Sequence, residues 1–247
     1  MAIKIAANQV APTDFYFDYG HLQLVNTSSN TEIEVQQRWA DAKFNWVVNI
    51  DTDHDDTWFS PGSSNEDYPF DPLRYSSITI HLRDGQSDAD VWRLAQEFAL
   101  RLDDFNFLYG GLTQNSNSFV NTLMYMVGWN LRDYEGVLKT SEMSNFPGSG
   151  RNVLLDSGTD VSITTSGTSS ADYIRLGRGD DVVNASEGAD RVYTASGDDV
   201  LNGVLTSTGN VYDLGDGGWF RRDHDVADYA GQDVTVAFGV QSCDLDR

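Results

Sequence analysis

Four aspartates nine residues apart, Asp172, Asp181, Asp190 and Asp199, are the residues of this chain whose type and spacing most plainly allow chemistry. Two places before each stands a small residue, Ser170, Gly179, Gly188 and Gly197, and two places after each an aliphatic one, Ile174, Val183, Val192 and Leu201. From Gly167 the chain therefore reads in nines: GTSSADYIR, LGRGDDVVN, ASEGADRVY, TASGDDVLN. Aspartate supplies the hard anionic oxygen that Ca²⁺ selects. Glycine takes the positive φ of a tight half-turn whose carbonyls crowd a cation. The period predicts a parallel β-roll in which each nine makes one ion-holding half-turn and one short strand, with successive nines in alternate sheets. An ion would lie between nines two apart, linking Asp172 with Asp190 and Asp181 with Asp199. The expected metal-binding set is these four aspartates with Gly177, Gly179, Gly188 and Gly197. An acidic Gly/Asp loop of accidental spacing is the competing explanation, and four aspartates and four aliphatics in one register speak against it.

LGRGDDVVN and TASGDDVLNG resemble the hemolysin-type, or RTX, calcium-binding nonapeptide repeat, with its pattern Gly-Gly-x-Gly-x-Asp-x-aliphatic-x. The match is partial. Position one is not Gly in the last three nines, position two is Gly only at Gly177, and Ser170 stands where Gly is expected. Few ions, and weaker binding at the ends of the roll, are the expectation. The resemblance implies Ca²⁺ as the ligand and a secreted, extracellular protein that leaves the cell by a type I-like route with no cleaved N-terminal signal.

A second candidate for chemistry is Asn115-Ser116-Asn117-Ser118-Phe119, at the start of a helical pattern. A nucleophile there gains from free backbone N–H groups, which can hold a developing oxyanion. Small polar residues are equally good N-caps. YGHLQLV early in the chain, followed by a Tyr-containing turn and NSNSFVNTL, looks like the permuted papain-like fold, in which a His on an early strand precedes a nucleophile that opens a helix in an Asn-Cys-Asn-x-Phe setting. That resemblance implies His21 as general base, Ser116 in the nucleophile's place and Tyr109 as the turn tyrosine. Serine in place of cysteine matters, because a thiol is appreciably ionised near neutral pH whereas a hydroxyl needs a well-placed base. His81 is a rival base on a strand, and His54 lies in an acidic loop. Glu34 and Gln36 are candidates for an orienting group. No HExxH zinc pattern occurs, and the Gly-rich segments lie among acids that would repel phosphate.

The elements that must position these residues follow from periodicity. Residues 14–25, Thr31–Val35, Lys43–Ile50 and Ser76–Leu82 alternate as strands. Ser87 and Asp90 open a helix with Val91, Leu94, Ala95, Phe98 and Leu102 on one face, and a second helix runs from the Asn115 motif to about Gly128. Residues 51–72 form a polar loop rich in acids, read as solvated. Residues 141–152, SEMSNFPGSGRN, are the best linker. The fold class expected is an α+β domain over 1–140, permuted papain-like, then an all-β calcium-binding parallel β-roll with a β cap over 153–247. VLLD and VSITT are read as short β segments before the nines, and GNVYDLGDGGWF and DVTVAFGV as the cap.

Composition narrows the partners. With 247 residues and a formal net charge of −22, the chain is large enough for a core and too acidic for nucleic acid. Its one cysteine, Cys243, forms no internal disulfide, so calcium is the natural staple. No apolar run has the length of a signal peptide or a transmembrane span. Two functions from different classes stand at this point. One is a secreted calcium-binding RTX-type Ser/His hydrolase or acyltransferase, peptidase- or lipase-like, acting on an amide or ester. The other is a non-catalytic calcium-dependent binding, surface or adhesion protein with a degenerate papain-like domain. Substrate, protein partner, ion number and oligomeric state are not readable from the residues.

Overall fold

The computed structural model describes residues 2–9, 20–27, 31–37, 46–51, 75–105, 107–108, 113–139, 145–156, 158, 160–202 and 211–213. Tyr109, His54 and most of the acidic loop and of the expected β cap lie outside the described residues.

The first half of the chain mixes strands and helices. Strands β1 (Ile3–Gln9), β2 (Gly20–Asn26), β3 (Thr31–Gln37), β4 (Trp46–Asp51) and β5 (Tyr75–Thr79) form one antiparallel sheet in the order β4-β3-β2-β1-β5. β1 lies between β2 and the edge strand β5, pairing Ile5 with Leu24 of β2 and with Ile78 of β5. The sequence pattern missed this strand. Helix α1 (Asp88–Asp104) starts where Ser87 accepts from the Asp90 N–H at 3.1 Å, as the capping pattern implied, and buries Val91, Leu94, Ala95, Phe98 and Leu102. Helix α2 (Ser116–Met126) buries Phe119, Val120, Leu123, Met124 and Met126, and Gly128 then turns the chain at φ +89°. α3 (Arg132–Leu138) is a short helix that periodicity did not announce.

VLLD is a correction. Residues Val153–Asp156 form a helical turn, α4, and not a strand. The reason is local capping: the Asn152 side chain accepts from the Leu154 N–H at 3.0 Å, and the Asp156 carboxylate takes the Asn152 N–H at 2.7 Å. Those bonds reward one helical turn over extension.

From Thr164 the chain winds into parallel strands of three residues: β6 (Thr164–Ser166), β7 (Tyr173–Arg175), β8 (Val182–Asn184), β9 (Arg191–Tyr193), β10 (Val200–Asn202) and β11 (Val211–Asp213). They alternate between two sheets, β10-β8-β6 and β11-β9-β7. Val183 stands beside Leu201, and Ile174 beside Val192. This arrangement is consistent with the expected β-roll, and its inward aliphatics Ile174, Val183, Val192 and Leu201 are all buried. Leu176, Ala185 and Thr194, at the first place of their nines, fill the same interior.

One apolar cluster runs from Ile3 and Leu22 of the sheet, through Phe98 and Phe119 of the helices and Val153 and Leu154 of α4, to Val183 and Leu201 of the roll. Residues 145–152, within the stretch expected as linker, pack closely: Phe146 is buried, and a Cβ on Gly20 would collide with its ring. Among the described residues no helix is long and apolar enough to cross a membrane.

Candidate functional site

Three half-turns of the roll are built around a glycine with positive φ: +123° at Gly179, +135° at Gly188 and +148° at Gly197. A side chain at any of them would also strike the carbonyl of the turn stacked on it, Val161 for Gly179, Ser170 for Gly188 and Gly179 for Gly197. Glycine is therefore required twice over, by backbone conformation and by the close approach of carbonyl oxygens. Gly177 faces a different neighbour. It lets α4 pack down, since a Cβ there would lie 2.6 Å from the Leu154 Cβ.

The aspartates form a ladder with rungs 18 residues long. Asp181 Oδ1 accepts the Ile163 N–H at 2.8 Å, Asp199 Oδ1 accepts the Asp181 N–H at 2.9 Å, and Asp190 Oδ1 accepts the Asp172 N–H at 3.1 Å. All four carboxylates are at most 1% exposed. The second oxygens of Asp181 and Asp199 have no hydrogen-bond partner although both are buried. A buried carboxylate oxygen left bare is costly, and a cation is the partner that relieves it. Burial, more than the facing carboxylate, lifts the Asp181 and Asp190 carboxyls from 3.8 to about 7, the bonds from the Ile163 and Asp172 N–H groups notwithstanding. Asp172 is also raised, again chiefly by burial.

Bare carboxylate oxygens and the closely stacked carbonyls of the glycine turns are the oxygen types that a hard cation such as Ca²⁺ selects. These donors thus fit the ion: Asp181 and Asp199 would supply charge, and the turn carbonyls neutral oxygen. Among the described residues no group of three or more His, Cys, Asp or Glu side chains is placed to hold a metal ion, so other oxygens would be needed beside the two carboxylates. Asp180 and Asp198 add an outer rung that the sequence reading passed over: Asp180 Oδ1 accepts the Asp198 N–H at 2.9 Å. The GDD doublets at 179–181 and 197–199 were the visible signal.

At the other candidate site, Asn115 caps α2. Its Oδ1 accepts from the N–H groups of Asn117 at 3.0 Å and Ser118 at 3.3 Å, while the Ser118 hydroxyl takes the Asn115 N–H at 2.8 Å. The cap is thus Asn115, and Ser116 is the first helical residue, 3% exposed. Of the first-turn donors, the cap leaves the Ser116 N–H. Asn117 fixes the helix to β2: its Oδ1 accepts the Leu22 N–H at 2.8 Å, and its Nδ2 donates to Gly20 O at 2.9 Å and Pro147 O at 3.1 Å. The two residues it grips on β2 flank His21, the one residue of that strand that is not fully buried. His81 is exposed and lies after β5. Glu34 and Gln36 lie on β3, whose neighbours are β2 and β4.

Residues 166–201 match the family model of the RTX calcium-binding nonapeptide repeat, in four copies. Comparison with curated proteins and with solved structures yields no match. The glycine half-turns, the buried aspartate ladder and the match coincide over the same residues, and residues 166–201 are accordingly RTX calcium-binding nonapeptide repeats, through which the chain binds Ca²⁺.

Proposed function

We propose that calcium is the folding switch of this chain, held by the half-turns of the roll, and that the protein works in the calcium-rich space outside the cell. The observation that carries this reading is the pair of buried carboxylate oxygens, Asp181 Oδ2 and Asp199 Oδ2, with no hydrogen-bond partner. A net charge of −22 opposes compaction in the same way until cations are taken up. Titration of the chelator-treated chain with CaCl₂, followed by calorimetry and circular dichroism, tests it. Calcium uptake accompanied by gain of β structure supports the switch, and an unchanged spectrum and melting curve in excess chelator rejects it.

The same reading extends to the first half of the chain, taken as 1–140, as a permuted papain-like domain with Ser116 and His21 as a hydrolytic or acyl-transferring pair. The Asn117 clamp favours it, since it ties the start of α2 to both neighbours of His21. In that chemistry the Ser116 hydroxyl attacks an amide or ester carbonyl and His21 takes its proton, passing it to the leaving amine or alcohol; the Ser116 N–H faces the developing oxyanion. Water then releases the acyl group by the reverse proton path. The near-complete burial of Ser116 favours the other reading, a non-catalytic calcium-dependent binding or surface protein. Labelling with a fluorophosphonate separates them. Calcium-dependent labelling that Ser116→Ala removes supports the hydrolase, and no labelling of the calcium-loaded chain supports the binding protein.

A further inference from the structure

The aspartates of the roll differ in how their carboxylates are met. Asp181 and Asp199 each spend one carboxylate oxygen on an amide 18 residues earlier and leave the other bare. Asp172 has no repeat turn 18 residues before it, because that place in the chain belongs to α4. Its carboxylate is instead filled from its own turn: Oδ2 accepts the Thr168 N–H at 2.5 Å, and the Thr168 hydroxyl lies 3.1 Å from both carboxylate oxygens. Thr168 Oγ1 in turn accepts the Ser170 N–H at 3.0 Å.

The outside of this turn is held by helix α1. The Ser170 hydroxyl donates to Asp90 Oδ2 at 2.6 Å, the same oxygen that receives the Ser87 hydroxyl at 2.7 Å. Those two bonds, Ser170 first, hold the Asp90 carboxyl below its ordinary value. Gly85 O accepts the Ala171 N–H at 3.1 Å, and Arg93 donates to Gly167 O at 3.1 Å. Gly85, with φ +83°, has no Cβ to collide with that of Ala171.

We infer that Asp172 is no calcium ligand: the first nine is a protein-closed end plate in which Thr168 does for Asp172 what the cation does for Asp181 and Asp199, and Ser170 bolts this plate to α1 through Asp90. The inference rests on the reading of the roll as a calcium binder. Ser170 in place of glycine is then the substitution that turns an ion-holding half-turn into a mounting point. The ions lie farther along the roll, and the end nearest α1 stays fixed when they leave.

Calcium titration of the full chain, with melting curves in excess calcium and in EGTA, tests this on Asp172→Asn, Ser170→Ala and Asp181→Asn. Asp181→Asn is expected to weaken calcium uptake by about tenfold or more, as loss of a charged ligand does. Asp172→Asn and Ser170→Ala are expected to keep the ion number and affinity of the unmodified chain while melting lower by equal amounts with and without calcium. Ser170→Ala carries the test if Asp172→Asn does not fold. Loss of calcium in Asp172→Asn as large as in Asp181→Asn, or a cost of Ser170→Ala confined to the calcium-loaded state, overturns the inference and leaves the calcium reading standing. An unmodified chain that takes up no calcium overturns both.

Discussion

At the residue scale, the roll is governed by glycines that leave no room for a side chain and by carboxylates that are buried. Gly197→Ala combines a φ of +148° with a collision against the Gly179 carbonyl. Its expected cost is on the order of 2–3 kcal/mol, read by urea unfolding of the calcium-loaded chain. The aspartates set the response to pH. Folded carboxyls at about 7, against 3.8 in the unfolded chain, keep protons that the unfolded chain has released. Without calcium, Asp181 and Asp190 therefore favour the folded roll at low pH and cost it stability as pH rises from 3.8 through about 7. Calcium needs the deprotonated oxygens, so its affinity runs the opposite way and climbs over the same interval. Unfolding in EGTA and calcium titration, each at about pH 5.5 and about pH 8, check the two opposite slopes.

At the scale of elements, α2 is packed into the core by its apolar face and tied to β2 by one side chain. Asn117→Ala removes bonds to Leu22, Gly20 and Pro147 at once, and the two backbone groups on β2 are buried with it. The expected loss is about 2–4 kcal/mol in calcium and in EGTA alike, since no half-turn of the roll is touched; chemical denaturation measures it. The sequence made α1 and α2 legible because each joins an apolar stripe to a capping residue, Ser87 and Asn115. The roll was legible because glycine, aspartate and an aliphatic recur together. β1 was not, since IKIAANQ carries two isoleucines and then alanines, too little to mark a strand. α3 contains Gly136, and Leu131 at its N-cap position makes no side-chain cap. VLLD misled because three apolar residues in a row fit either period, and what decided them was the pair Asn152 and Asp156 at their two ends. The clamp of Asn117 on β2 joins residues 95 apart in the chain, which no local pattern can announce.

For the whole molecule, one apolar cluster joins the sheet, the helices and the roll. Thr165 also donates to Glu97 of α1 at 3.0 Å, and the Arg83 guanidinium stacks 4.5 Å from the Tyr173 ring while donating to Gly128 O. A shared core makes unfolding cooperative. In calcium, scanning calorimetry is expected to give one transition that EGTA shifts to lower temperature, and two separate transitions would resolve 1–140 from 153–247 as independent units. Calcium taken up at the roll thereby stabilises the sheet bearing His21 as well.

The parallel pairing described for the roll works as a screw thread. Val182 lies beside Val200 and beside Thr164, so one full pitch is 18 residues and each sheet receives every second nine. Removing a whole pitch shortens the thread and leaves every surviving residue on its original flank. Excising one nine between Tyr173 and Val200 carries all later residues to the opposite flank, sets Val200 against Tyr173, and breaks the line of bare carboxylates. Viable length variants of this chain should therefore be spaced in steps of 18, never nine.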